Sequence, residues 1–194
     1  MRINEIFYSL QGEGFHTGTP AVFVRFSGCN LCCPFCDTQH QSFEELDEHE
    51  IVRRAASYPA RFVVLTGGEP AMQVSDTLIH LLHAKGFTVA IETNGTLPLP
   101  DGIDWVTLSL KDPFLGPQAK PCLASADELK LLYDGQHDPA PYAQFPVRHA
   151  RFLQPLDTGS PILGSRLLSE TVAYIKEHPC WRLSLQTHKL LNIP

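Results

Sequence analysis

The chain has 194 residues, 43% of them hydrophobic, enough for one core and too little for two comfortable ones. Its net charge of −6 excludes a nucleic-acid backbone as the main partner, because neutralising phosphates needs clustered Lys and Arg. No stretch approaches the roughly 20 apolar residues that cross a bilayer, and the first residues lack the basic-then-apolar pattern of a signal peptide. A single cytoplasmic domain over residues 1–194, with a small-molecule partner and no membrane partner, is expected.

In chain order, Ala21–Phe26 is the first run of β-branched and aromatic residues, apolar nearly throughout, as in strands covered on both faces. A cysteine-rich loop follows it. Asp47 and Glu50 have capping-box spacing ahead of Ile51, Val52, Ala55 and Ala56, which predicts a helix. Phe62–Thr66 is the second predicted strand and runs into Gly67-Gly68-Glu69-Pro70. Ser75 is placed to cap a helix carrying Leu78, Ile79, Leu81 and Leu82, with Gly86 near its end. Thr88–Glu92 is the third strand and closes in Thr93-Asn94-Gly95. The connection to the fourth, Trp105–Leu110, is too short to assign a helix. Ser125 and Glu128 form another capping box, predicting a helix through Leu129, Leu131 and Leu132. Asp134–Val147, rich in Pro, Ala, Gln and Asp, reads as a surface excursion. Ala150–Gln154 is the fifth strand, Leu167–Glu177 a further helix, and Trp181–Leu185 the sixth strand.

Strand–helix alternation implies an α/β fold with right-handed crossovers. Each polar motif follows the C-terminal end of a strand, where barrel enzymes build their sites. A flavodoxin-like open sheet would gather its site at one switch point instead. Six units are too few for a closed eight-stranded barrel. The expected fold is therefore a compact, incomplete (β/α)6 TIM-like barrel.

Four of the six cysteines fall at positions 29, 32, 33 and 36; Cys122 and Cys180 stand alone. In a reducing compartment such clustering points to metal ligation rather than to disulfides. Cys29-x3-Cys33-x2-Cys36 supplies three thiolates on one loop, so a four-iron cubane held there keeps one iron open. Electron-transfer clusters usually fill all four positions. The open iron is the one that the amino and carboxylate groups of S-adenosylmethionine (SAM) chelate, and Phe35 is placed to shield the cluster and pack along the adenine. A zinc site drawn from Cys33, Cys36 and His40 with Cys29 or Cys32 is the competing arrangement. The Thr66–Pro70 turn lets backbone come close to a ligand, with Gly68 able to accept from the SAM ammonium. Ser109 and Lys111 are candidates for its ribose and carboxylate, and Gln154, before Pro155, for its adenine.

The cysteine spacing, with its aromatic residue before the last Cys, is similar to the radical SAM signature. Together with Ile6–Gly14 (IFYSLQGEG), Arg25–Asn30 (RFSGCN), Cys36-Asp37-Thr38 and Gln186-Thr187-His188-Lys189, the chain resembles the 7-carboxy-7-deazaguanine synthase family from its first strand to its last residue. The resemblance implies conversion of 6-carboxy-5,6,7,8-tetrahydropterin to 7-carboxy-7-deazaguanine with loss of ammonia, in the queuosine and 7-deazapurine pathway. It implies a lyase with a [4Fe–4S] cluster, SAM and Mg²⁺, working as a homodimer supplied by an external flavodoxin- or ferredoxin-type electron donor. It puts Leu10, Gln11, Gly12 and Thr66 on the pterin, Arg25 on the pterin carboxylate, and Thr38 on Mg²⁺. Asp37, Gly68 and Glu69, the segment Ser109, Leu110 and Lys111, and the segment Gln154, Pro155, Leu156 and Asp157 would line the SAM pocket, and Pro194 would reach the substrate through its carboxylate. Cys32 and Leu110 depart from the family's pattern at positions next to the chemistry. Rival functions are a glycyl-radical activating enzyme acting on a protein partner, a non-catalytic zinc-binding domain, and a ferredoxin-like electron carrier.

Overall fold

The computed structural model describes residues 1–36, 38 and 42–194. Strands β1 (Arg2–Leu10), β2 (Pro20–Phe26) and β3 (Glu44–Glu45) are followed by helix α1 (Glu48–Ala56), β4 (Phe62–Gly67), α2 (Asp76–Ala84), β5 (Thr88–Thr93) and β6 (Trp105–Leu108). A short helix α3 (Asp112–Leu115) leads to β7 (Ala126–Tyr133) and β8 (Val147–Pro155). Helix α4 (Pro161–Glu177), β9 (Arg182–Leu183) and α5 (Thr187–Leu191) complete the order.

These strands form one sheet in the order β3-β1-β2-β4-β5-β6-β7-β8-β9. From β2 to β9 every pairing is parallel, and each new strand adds on the same side. A doubly wound sheet would reverse direction partway; this one never does, which is barrel topology left open. β1 pairs antiparallel with β2 and β3 with β1, extending one edge. Among the described residues no helix is long and apolar enough to cross a membrane.

The period of two along the strands separates two environments. Val22, Val24, Phe26, Val63, Leu65, Val89 and Ile91 pack outward against Ile51 and Val52 of α1 and Leu78, Ile79 and Leu82 of α2. Burying each such side chain stabilises by about 1.5–3 kcal/mol. Leu129, Leu131 and Leu153 form a second outer core with Trp181, and Tyr174 and Ile175 of α4 pack on it. On the other face, Phe23, Val64, Ala90 and Trp105 make an apolar layer. Beyond that layer, toward the C-terminal strand ends, the same parity carries Arg25, Thr66, Glu92, Lys130 and Gln154, which line a cavity.

Caps form where the sequence puts them. Asp47 accepts from Glu50 N–H at 2.8 Å, Ser75 from Leu78 N–H at 3.1 Å, and Gly86 follows α2 with φ of 77°. One helix prediction fails outright: the segment after Ser125 is strand β7. Its alternation explains why. Leu129 and Leu131 enter the outer core while Glu128 and Lys130 point inward, each bonded to other parts of the chain. The capping box was a coincidence of spacing. β1 also had no sequence assignment, and the crossovers β5–β6 and β7–β8 lack a full helix, so strand–helix alternation holds only in the first half and around α4.

Ser75→Ala should remove the α2 cap at a cost of about 1 kcal/mol, lowering the melting temperature by about 2–4 °C with no change in cluster content; thermal unfolding and iron analysis check both.

Candidate functional site

The cavity lies at the C-terminal ends of the parallel strands. Its first wall is the loop after β2. Cys29, Cys33 and Cys36 all line it, while Cys32 is exposed and outside it. Burial pushes the Cys29 thiol up against the Leu31 N–H that favours its thiolate, and burial likewise raises Cys33 against the nearby Lys111 ammonium. Such thiols stay protonated until a metal takes the proton's place. Among the described residues no three metal-type donors converge on one point, which is what a mononuclear zinc ion requires. His40, part of the competing zinc arrangement, lies outside the described residues. Three of the four clustered thiols thus share one wall of the cavity.

The Gly67-Gly68-Glu69 turn presses against this loop. A Cβ on Gly68 would stand 1.9 Å from the Gly28 carbonyl oxygen, so only glycine allows the approach. Glu69 N–H donates to that same Gly28 oxygen at 2.9 Å. The Glu69 side chain points away from the cavity and is fully buried. It accepts from Thr93 Oγ1 and Asn94 N–H, both at 2.7 Å, and from Ala71 N–H at 3.0 Å. Burial pushes its carboxyl up and these donors hold it down. Asn94 reaches on to Asn30 in the cysteine loop at 3.1 Å. Glu69 is thus the brace between two ligand-bearing loops.

The floor is charged. Lys130 is buried between two carboxylates, in contact with Glu13 and 2.9 Å from Glu92. Gln11 donates to Glu92 at 3.0 Å and Gln186 to Glu13 at 2.9 Å. Burial pushes the Glu13 carboxyl up, but Lys130 outweighs it and holds the pKa at about 2. Burial also works against the Lys130 ammonium, and Glu13 with Glu92 raise it regardless. Lys111, 2.6 Å from Ser109 Oγ, is lowered by burial and by Lys130.

At the rim, Arg25 Nε donates to Glu5 at 2.7 Å. That contact uses one edge of the guanidinium and leaves the two terminal nitrogens available for a planar anion. Thr38 lines the same region, with oxygen-bearing Asn4, Glu5 and Ser42 around an adjoining pocket. A hard cation wants such oxygen donors. The C-terminal segment closes this side: Thr187 Oγ1 donates to Gly12 O at 2.9 Å, Lys189 pairs with Asp157 at 2.6 Å, and Ser9 Oγ donates to Pro194 O at 2.7 Å.

Most residues singled out in the sequence meet here. Leu10, Gln11, Gly12, Arg25, Phe35, Thr38, Thr66, Gly68, Ser109, Lys111, Gln154, Leu156, Asp157 and Pro194 line the cavity beside the three cysteines. Glu69, Leu110 and Pro155 do not line it; Leu110 is in the outer core. Asp37 lies outside the described residues. Glu13, Glu92, Lys130, Gln186 and His188 were not foreseen as site residues. The available signal was charge at inward parity, at Glu92 and Lys130, within otherwise apolar runs.

Residues 23–114 match the model of the Radical SAM superfamily. The chain is 52% identical to the 7-carboxy-7-deazaguanine synthase of Bacteroides thetaiotaomicron, over 99% of this chain and 98% of that one. It is 42% identical to the 7-carboxy-7-deazaguanine synthase of Nitratidesulfovibrio vulgaris, over 100% and 99%. Among solved structures, QueE from Escherichia coli aligns with a TM-score of 0.75 at 28% identity, covering 95% of this chain and 93% of that one.

Lys130→Met should leave two buried carboxylates unpaired, at a cost of about 3–5 kcal/mol at pH 7. Because the Glu13 pKa falls from 4.5 to about 2 on folding, its contribution is complete above about 4.5 and is lost as pH drops toward 2. Unfolding measured from pH 7 downward should show that acid slope in the parent and a shallower one in the variant.

Proposed function

The chain belongs to the 7-carboxy-7-deazaguanine synthase family of radical SAM enzymes, and from that premise we propose that it converts 6-carboxy-5,6,7,8-tetrahydropterin to 7-carboxy-7-deazaguanine with loss of ammonia. The observation that carries this reading is 52% identity to a synthase of that name over essentially both whole chains. Family membership brings a [4Fe–4S] cluster and SAM, and Mg²⁺ is part of the proposal. The same length-wide identity disfavours a glycyl-radical activating enzyme or a zinc-binding domain.

When bound and reduced, the cluster with SAM would supply the radical chemistry of the reaction. The chain's own work is placement. Cys29, Cys33 and Cys36 hold the cluster on one wall. Gly68, Ser109, Lys111 and the segment from Gln154 to Asp157 receive SAM beside it. Leu10, Gln11, Gly12 and Thr66 take the pterin, and Arg25 clamps its carboxylate bidentately. Thr38 would offer its hydroxyl to Mg²⁺. Phe23 and Leu132 line the interior with apolar surface that excludes water. Orientation of the reacting C–H toward the radical is the largest contribution such a site can make. Glu13 and Glu92 stay paired with Lys130, so the floor is fixed before substrate enters. A homodimer, and a flavodoxin- or ferredoxin-type donor acting in the cytoplasm, complete the proposal.

Anaerobically reconstituted, reduced protein given SAM and 6-carboxytetrahydropterin should form 7-carboxy-7-deazaguanine, faster with Mg²⁺ than without. Arg25→Lys should raise the pterin KM by about tenfold or more, the loss of one charge-assisted hydrogen bond. SAM cleavage with the pterin untouched would refute the substrate assignment.

A further inference from the structure

Gln154 ends β8 in the cavity wall with 4% of its surface exposed. Its Oε1 accepts from Ser184 Oγ at 2.8 Å. Ser184 is itself buried, and its Oγ accepts from the Gly14 N–H at 3.1 Å. Its backbone N–H donates to Leu153 O at 3.0 Å, so the residue is fixed against β8. These contacts decide which way the amide faces. An N–H can only donate, so Gly14 occupies a lone pair of Oγ, and the single hydroxyl proton goes to Gln154. Were the amide reversed, Nε2 would face Ser184 and the hydroxyl proton would have no acceptor, which is costly in a buried site. The Nε2 amino group therefore faces the cavity, and among the described residues nothing accepts from it.

We infer that Ser184 is a positioning residue that fixes Gln154 as a hydrogen-bond donor to a ring nitrogen of the SAM adenine, and that the same hydroxyl ties the segment carrying Gln11 and Gly12 to the SAM wall. The inference rests on SAM lying along the end of β8, as proposed above. A fixed donor suits an adenine ring nitrogen, which accepts, and disfavours a ring edge that itself donates. Because Gly14 belongs to the pterin-contacting loop, loosening Ser184 disturbs one wall through the other.

The test is SAM binding by equilibrium dialysis to reconstituted, unreduced holoprotein, with melting temperature recorded alongside. Ser184→Ala should weaken SAM about five- to tenfold and Gln154→Ala at least as much, while the double variant should be no weaker than Gln154→Ala alone. Gln154→Glu keeps an acceptor for Ser184 but replaces the cavity-facing donor with an acceptor. It should lose SAM tenfold or more at nearly unchanged melting temperature, and this variant decides the matter if Ser184→Ala does not assemble its cluster. Parent-like SAM affinity in Ser184→Ala or Gln154→Glu, or effects of Ser184→Ala and Gln154→Ala that multiply, overturns the relay; so does a change confined to pterin affinity. A parent protein that binds no SAM sinks the functional reading as well, whereas a parent that binds with independent variants sinks the relay alone.

Discussion

One ammonium allows the cavity floor to exist. Glu13 and Glu92 come from different parts of the chain, and both carry charge into a largely enclosed space. Two carboxylates placed there alone would repel and would take up protons. Lys130 between them turns that repulsion into attraction from both sides, and Gln11 and Gln186 occupy further oxygens. The loop that carries Gln11 and Gly12 is thereby anchored to β5 and β7. A rigid floor is what lets a substrate be held in one orientation.

The cysteine wall depends on a second anchor of the same kind. Glu69 has no exposed surface, and its three donors come from its own turn and from the end of β5. Through Gly28 and Asn94 it fixes how the cysteine loop meets the glycine turn. Three thiols face the cavity from that loop and Cys32 does not. The two anchors put the cysteine wall and the charged floor on one cavity.

What was legible in the sequence was local. The Cys29–Cys36 spacing, the glycine turn, the caps at Asp47 and Ser75, and the apolar strands β2, β4 and β5 are each set within a few residues. The Glu13–Lys130 contact spans 117 residues and Lys130–Glu92 spans 38, so the inward charges at Glu92 and Lys130 hint at a site but not at their partners. β7 was misread for the same reason: Asp127, Glu128 and Lys130 look solvated, whereas each is buried with a distant partner. Glu69 adds a role that its motif alone does not announce: its buried side chain ties the glycine turn to the end of β5. β1 carries mixed exposure along its length, and its place in the sheet follows from antiparallel pairing with β2 and β3.

In the proposed function, three protein thiolates leave one iron of the cluster open to SAM. Mössbauer spectra of ⁵⁷Fe-reconstituted protein, recorded before and after adding SAM, test it most directly. About one iron in four should change its isomer shift when SAM binds. Spectra that SAM leaves unchanged for every iron would contradict it.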